Sequence, residues 1–421
     1  MLMSMRYLPR IIDRELSSRL RSSPIVVIEG AKACGKTETA LQMAKSSVRL
    51  DTDEEARRAA ALDPKLVLSG EVPRLIDEWQ VEPSIWNHAR RVVDTRRSPG
   101  QFILTGSSAP ADDPVRHSGA GRFSFIRMRP MSLYESGRST GGVSLMALFE
   151  GEGVRSAEAP LTVAELAELV ARGGWPAQLD AAVGDAAQAA SDYLAQTAHV
   201  DVSRVGGVRR DPVRVRRLFA SLARNVATEV ALSTLADDSS GPGEKMSRQT
   251  AAEYLEVLNQ LMVIEDQPAW SAHLRSKATL RRAPKRHFVD PSLAAAALSA
   301  LPARLESDLG YLGLLFESLV VRDLRILAQP IDGEVFHYRD DRGREVDAVV
   351  QLADGRWAAF EVKLGGTAAI NAAASSLLRF ASDVDIIRSG APAVLAVITM
   401  SGYGYVRDDG VAVIPIRSLA P

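Results

Sequence analysis

Residues 25–37 read Ile25-Val26-Val27-Ile28-Glu29-Gly30-Ala31-Lys32-Ala33-Cys34-Gly35-Lys36-Thr37. Four apolar residues lead into a loop that fits G-x-x-x-x-G-K-[ST] without deviation, and a helical run follows. Each residue type has a physical reason. Gly30 and Gly35 let the backbone wrap around phosphates, so that the N–H groups of Ala31, Lys32, Ala33, Cys34 and the helix N-terminus face them. Lys36 supplies a cation for the β- and γ-phosphates, and Thr37 a hydroxyl for Mg²⁺. The bland alternative is a chance glycine loop, and the strand before it and helix after it weigh against that. The motif implies a bound nucleotide and Mg²⁺.

Outward from this loop, short apolar runs alternate with helical patterns. Runs at 75–76 and 102–104 read as buried strands, 48–50 and 125–128 as weaker ones, with helices over 37–44 and 83–94. That alternation predicts an α/β fold with a parallel sheet covered on both faces. Forty residues past Thr37 comes Arg74-Leu75-Ile76-Asp77-Glu78. A strand ending in two acids can give Asp77 to the metal and Glu78 to the attacking water as its base. A solvated acidic turn is the alternative. Pro73 and Arg74 interrupt the apolar run, so this strand should be short. The next strand ends Leu104-Thr105-Gly106-Ser107, where Thr105 can sense the γ-phosphate or simply make a turn. Arg122, in Gly119-Ala120-Gly121-Arg122, is either an arginine finger toward a neighbouring subunit or a surface arginine.

Composition sets outer limits. At 421 residues the chain should hold two or three domains. Its 46% hydrophobic and 24% charged residues argue against extensive disorder. Lys+Arg (51) and Asp+Glu (52) cancel, so nucleic acid or membrane could be attracted only by a local patch. The single cysteine, Cys34, excludes an internal disulfide framework and a multi-thiolate metal site. No apolar signal segment opens the chain, and the longest apolar stretches are about half a membrane span. The expectation is a cytoplasmic protein with no membrane partner.

The pattern divides the chain into a phosphate-loop domain at 1–136, a Gly- and Ser-rich connector at 137–160, a mainly helical region at 161–305 and a second α/β unit at 306–421. Thr162 is placed to cap the first middle helix and Gly173-Gly174 to stop it. Ser247 caps a run in which Tyr254, Leu255, Leu258, Leu261 and Met262 recur at helical spacing, with Arg248, Gln249, Glu253 and Glu256 opposite. A shorter helix precedes it across the loop at 237–244, giving a helix-turn-helix with a long turn over about 212–290. Between Gln267 and Val289 stand Arg275, Lys277, Arg281, Arg282, Lys285 and Arg286 with no acid. A basic wing of that kind, with Arg248, would hold DNA phosphates. Alternatively the unit packs between domains, since Glu253 and Glu256 would repel phosphate.

Near the C-terminus, residues 345–352 alternate like a strand, Asp354-Gly355 turns, and 357–364 return. A period of two puts Glu361 and Lys363 on one face, with Asp347 able to sit opposite. Asp347 and Glu361 can hold Mg²⁺, with Glu317 of the preceding helix as a third carboxylate, while Lys363 orients or activates water. An ion pair without catalysis is the alternative.

These residues carry a family resemblance. The order of Walker A, Asp77-Glu78 and Leu104-Thr105-Gly106-Ser107 resembles an AAA+ ATPase of prokaryotes. Pro130-Met131-Ser132-Leu133-Tyr134-Glu135 and Gly173-Gly174-Trp175-Pro176 resemble further signposts of one uncharacterised subfamily. In that subfamily a winged-helix region and a domain of unknown function with a nuclease-like fold follow the ATPase. Asp347 and, fourteen positions on, Glu361-x-Lys363 resemble the PD-(D/E)xK nuclease superfamily, without a proline directly before Asp347. The resemblance spans nearly the whole chain. It implies ATP binding, and with the residue readings above the expectation is a Mg²⁺-dependent ATPase whose hydrolysis rearranges a winged-helix and restriction-endonuclease-like region, the basic stretch and Glu361/Lys363 favouring action on DNA. The alternative is a nucleotide-dependent switch that binds a protein partner and keeps an inactive nuclease-like fold. Oligomerisation is compatible with either.

Overall fold

Alternate residues of one strand decide how the first sheet is covered. The computed structural model describes residues 7–107, 119–202, 210–241, 245–271 and 283–421. In β1 (Ile25–Gly30), Ile25 and Val27 enter one core with Ile76, Phe102, Leu104 and Trp86, whereas Val26 and Ile28 enter another with Leu16, Ala40, Leu75 and Ile103. Both faces are therefore buried, as a parallel sheet requires. With β2 (Ser46–Arg49), β3 (Arg74–Asp77), β4 (Phe102–Gly106) and β5 (Phe123–Met128), the order is β2-β3-β4-β1-β5, and every pair is parallel. All five strands thus end along the same edge. The β3 strand is short, as expected, and begins with Arg74, whose guanidinium is tied to Val67 O (2.7 Å) and Ser46 Oγ (2.9 Å).

The chain folds as two units, the first built on Met1–Pro130 and the second on most of the remainder. The boundary falls before the expected one at 136. Met131 N donates to Gly174 O (2.6 Å) and Leu133 N to Asp323 Oδ2 (2.9 Å), so this stretch belongs to the second unit.

The second unit corrects the connector reading of 137–160. That stretch contains β6 (Val143–Ser144), a helix Leu145–Phe149 and β7 (Ser156–Ala159). The C-terminal strands are β8 (Gly333–Arg339), β9 (Glu345–Leu352), β10 (Trp357–Lys363), β11 (Leu395–Thr399), β12 (Gly402–Val406), β13 (Ala412–Pro415) and β14 (Leu419–Ala420). Their main sheet runs β7-β12-β13-β11-β10-β9-β8, and β14 pairs with β6. The supposed connector therefore supplies an edge strand and the partner of the last strand. Its Gly and Ser content disguised it, because edge strands need little apolar surface. β8, β9 and β10 are antiparallel, while β10, β11 and β13 run parallel.

Helix starts in this unit follow their sequence signals. Thr162 and Glu165 form a reciprocal capping box on Val163–Arg172, and Gly173, at φ 70°, ends it. Helices Pro212–Arg224, Leu232–Ser239 and Arg248–Gln260 follow in order. Antiparallel bridges join Thr228 to Arg286, Ile264 to Phe288 and Gln267 to Lys285. The 20-residue helix Leu309–Ala328 is buried from Leu315 to Ala328 and packs on β8, β9 and β10.

Candidate functional site

The phosphate loop lies at the carboxyl edge of the parallel sheet, between β1 and the helix Lys36–Leu41. Gly30 has no room for a side chain, since a Cβ there would stand 2.2 Å from Met128 O. Gly35, at φ 104°, takes a conformation that glycine adopts freely. Lys36 is buried, and its Nζ donates to Gly30 O (2.9 Å) and Ala31 O (2.8 Å), so the ammonium lies over its own loop. Cys34 points into the core instead, with Sγ 3.7 Å from Met128 O.

β4 lies between β1 and β3, and the register sets Thr105 beside both Ile28 and Asp77. Thr37 Oγ1 donates to Asp77 Oδ1 (2.9 Å) and lies 3.1 Å from Oδ2. Thr105 Oγ1 also donates to Asp77 Oδ1. Asp77 is thus held by a hydroxyl on either side. Thr37 and Asp77 offer adjacent hard oxygen donors, which fits Mg²⁺. Glu78 follows at φ 53°, a left-handed conformation that costs a non-glycine residue about 1 kcal/mol or more and redirects the side chain. Its Oε2 accepts from Ser107 Oγ (3.1 Å) and from Gln80 Nε2.

This geometry sorts the expected residues. Thr37, Asp77 and Thr105 meet in one hydrogen-bonded group, with Glu78 next to it. Thr105 gives its hydroxyl to Asp77, and Ser107 is the residue on Glu78. Arg122 is placed elsewhere. Arg122 O accepts from Ile25 N at the start of β1, about 17–20 Å of strand away from the loop, and Arg122 Nε pairs with Asp94 (2.9 Å). Within its own chain it does not approach the nucleotide edge. Sequence reasoning missed Arg10, which is buried and donates to Cys34 O (2.8 Å) and Arg129 O (2.7 Å), bracing the loop from behind. An isolated arginine ahead of the first helix gave no signal.

The second unit gathers another charged group. Trp357 and Ala359 of β10 pack on Ala373, Leu377 and Phe380 of the helix Thr367–Asp383, and the same alternation delivers Glu361 and Lys363. Lys363 Nζ lies 2.7 Å from Glu361 Oε2 and 3.2 Å from Asp347 Oδ2. Val362 N also donates to Asp347 Oδ2 (2.8 Å). Glu317 joins, but through a residue assigned to the wing. Lys285 Nζ lies 2.6 Å from Glu317 Oε1 and 3.7 Å from Asp347 Oδ1. Lys285, Glu317, Asp347 and Glu361 are all buried. Behind them, Gln267 Nε2 donates to Asp347 O (3.0 Å), and Gln267 Oε1 lies 3.0 Å from His287 Nε2.

Three carboxylates face two ammonium groups here, so one shared proton makes the cluster neutral. Burial, then Asp347, pushes Glu317 up to about 8, and the same causes push Glu361 up to about 7. Burial would raise Asp347 too, but Lys285, Lys363 and the Val362 N–H hold it below the usual carboxylate value. Burial keeps His287 neutral, helped by Arg325 and Lys285.

Two expectations are corrected by this arrangement. Lys285 is no solvent-facing wing cation, and Arg286, also mostly covered, pairs with Asp266. Arg275, Lys277, Arg281 and Arg282 lie outside the described residues, while Arg248 is exposed at the start of its helix. A metal held by Glu317, Asp347 and Glu361 does not fit either. Among the described residues no group of three or more His, Cys, Asp or Glu could hold a metal ion. Ammonium groups lie where a cation would.

The stretches 130–135 and 173–176 meet each other. Gly174 N donates to Asp290 Oδ2 (2.9 Å), and Trp175 Nε1 to Ser292 Oγ (2.9 Å). Arg322 bridges Asp290 and Asp323, each at 2.7 Å, and Asp323 receives Leu133 N. A Cβ on Gly174 would stand 2.1 Å from Met131 O. The motif is a packing junction.

Residues 22–137 match a family model described as an AAA domain. Residues 163–304 and 312–419 match models described as domains of unknown function, DUF8612 and DUF4143. Similar chains include Uncharacterized protein Rv2008c of Mycobacterium tuberculosis and Uncharacterized protein Mb2031c of Mycobacterium bovis. Each is 26% identical over 416 residues, covering 96% of this chain and 83% of the relative. Among solved structures, the Walker-type ATPase PABY2304 of Pyrococcus abyssi aligns with a TM-score of 0.42 and 13% identity, over 71% of this chain and 100% of that one. The AAA match, the phosphate loop and the parallel sheet together make the first unit a P-loop domain of the AAA ATPase type. Among the described residues no helix is long and apolar enough to cross a membrane.

Proposed function

We propose that this chain is a Mg²⁺-dependent ATPase whose nucleotide state controls a winged-helix region and a nuclease-like C-terminal unit. The observation that carries this reading is the group Thr37–Asp77–Thr105 beside Glu78–Ser107 at the carboxyl edge of the sheet. Gly30 to Thr37 cradle the phosphates, and Lys36 swings from the loop carbonyls to the β- and γ-phosphates. Thr37 and Asp77 would hold Mg²⁺, which supplies charge neutralisation on the phosphate oxygens. Glu78, aimed by Ser107 and Gln80, takes the proton of the attacking water as its oxygen bonds to the γ-phosphorus. The bond to the β-bridging oxygen then breaks and leaves ADP and phosphate. Thr105 couples to this event through Asp77.

The order helix, bridge residue Thr228, two helices, then the paired stretches around Ile264 and Phe288 supports the winged-helix reading. The antiparallel β8–β10 with parallel β11 supports a restriction-endonuclease-like arrangement of the C-terminal unit. DNA is the partner that Arg275, Lys277, Arg281 and Arg282 favour, four cations along the sequence with no acid between them. Phosphate release from ATP with Mg²⁺, measured with and without duplex and single-stranded DNA, tests the proposal. Turnover that vanishes in Lys36→Ala and Glu78→Gln supports the ATPase, and stimulation by DNA supports the partner. Binding of ATP without turnover would overturn the ATPase reading.

The burial of Lys285 among the C-terminal carboxylates favours a second reading. In it the chain is a nucleotide-dependent switch for a protein partner, with a nuclease-like unit that does not cleave. A partner retained only in the ATP state would favour this reading.

A further inference from the structure

We infer that Lys285 is the resident cation of the C-terminal carboxylate cluster, occupying with its ammonium the place between Glu317 and Asp347 that a divalent ion would take. The inference deepens the nuclease-like reading of β9 and β10, on which it rests. Three observations carry it. Lys285 Nζ is 2.6 Å from Glu317 Oε1 and 3.7 Å from Asp347 Oδ1, bridging carboxylates from a helix and a strand. Its side chain is only 7% exposed, so the charge is committed to this cluster and not shared with solvent. It is also fixed by its backbone, because Lys285 N and O exchange hydrogen bonds with Gln267 O and N (3.0 and 2.9 Å), and Gln267 Nε2 in turn holds Asp347 O.

The chemistry distinguishes the two lysines. Lys363 lies at the outer side of the pair, on Glu361 and on the second oxygen of Asp347, with a third of its side chain exposed. Lys285 takes the inner side and the first oxygen. The Lys285 ammonium hydrogen-bonds Glu317 and offsets the charge of Asp347 across 3.7 Å, balancing both carboxylates as a divalent ion would, but it offers no open coordination position. The cluster as folded is therefore closed to Mg²⁺ and Mn²⁺, and removing the Lys285 charge opens it.

Mn²⁺ binding to the nucleotide-free full chain tests this, read by the electron paramagnetic resonance signal of free Mn²⁺. The unmutated chain should take up no Mn²⁺ at this cluster. Lys285→Met should gain a site at least about tenfold tighter than any in the unmutated chain. Adding Asp347→Asn should remove that gain. Because Lys285→Met leaves the buried Glu317 without its cation, its thermal midpoint is measured alongside and should rise with Mn²⁺ but not with Na⁺, while Lys285→Met/Glu317→Gln should recover stability without binding metal. Asp347-dependent Mn²⁺ uptake by the unmutated chain would overturn the inference. So would a Lys285→Met chain whose stability and Mn²⁺ uptake are both indifferent to the metal. The readout is metal, not ATP turnover, so failure of the ATPase reading would appear in a different measurement.

Discussion

Glu78 is held in a left-handed conformation with Ser107 and Gln80 on the same carboxylate oxygen, so the loss of either partner frees its carboxylate to turn. Glu78→Gln should still bind ATP but lose about 10²–10⁴-fold in turnover, the usual share of a general base. Ser107→Ala should cost less, leave ATP affinity unchanged and lower kcat, which single-turnover hydrolysis would show. A second prediction concerns pH. In the folded chain Glu361 keeps its proton up to about 7 and Glu317 up to about 8, whereas unfolded glutamates release theirs near about 4.3. Over that interval the folded state binds more protons, so stability falls as pH rises from about 5 to about 8 and levels off above it. Thermal midpoints across this range should show the decline, and Glu317→Gln should flatten it. The residues of both groups were legible where they sat on a strong local pattern: the phosphate loop, the strand end Asp77-Glu78, and the period-two set Asp347, Glu361 and Lys363. Lys285 was not, because charge counted along the chain cannot tell a solvated cation from one turned inward. Thr105 was assigned to the phosphate on position alone, and only the register with Asp77 reveals where its hydroxyl goes.

Among the elements, β1 and its loop are set by steric limits more than by propensity. Gly30→Ala would drive a methyl group into Met128 O and separate β1 from β5, where Gly30 pairs with Met128. We expect a loss of about 1–3 kcal/mol in stability and abolished ATP binding, seen by calorimetry on the same sample. β1, β3 and β4 were readable because each holds a short apolar run beside a helical pattern, whereas β2 (Ser46-Ser47-Val48-Arg49) and the alternating β5 left only the weaker runs at 48–50 and 125–128. β7 was hidden for the opposite reason. Ser156-Ala157-Glu158-Ala159 has no β-branched or aromatic residue, and its place comes from pairing with β12 nearly 250 residues later, as the Tyr403–Glu158 hydrogen bond shows. Local sequence carries no trace of such a partner.

At the scale of the whole molecule, the sheets of the second unit are completed by strands from both ends of its sequence. A fragment beginning near residue 306 would lack β6 and β7, exposing the free edge of β12 and leaving β14 unpaired. We expect it to aggregate, whereas a fragment from Met131 onward should give a cooperative thermal transition of its own. Expression and calorimetry of the two would decide between them. The pairing of β6 with β14 bears on how the chain is made. Ser144 Oγ donates to Pro421 O, and Ser139 Oγ to Leu419 O, contacts between residues 277 and 280 positions apart. During synthesis the first unit's central sheet can assemble once β5 has left the ribosome. The strand and helix around residue 145 must wait until residue 419 has been added. Translation runs at about 5–20 residues per second, so this segment stays exposed for on the order of 15–60 s with its partner strand not yet made. Chaperone demand should concentrate in that interval, and slowing translation should lower the yield of folded second unit more than that of the first.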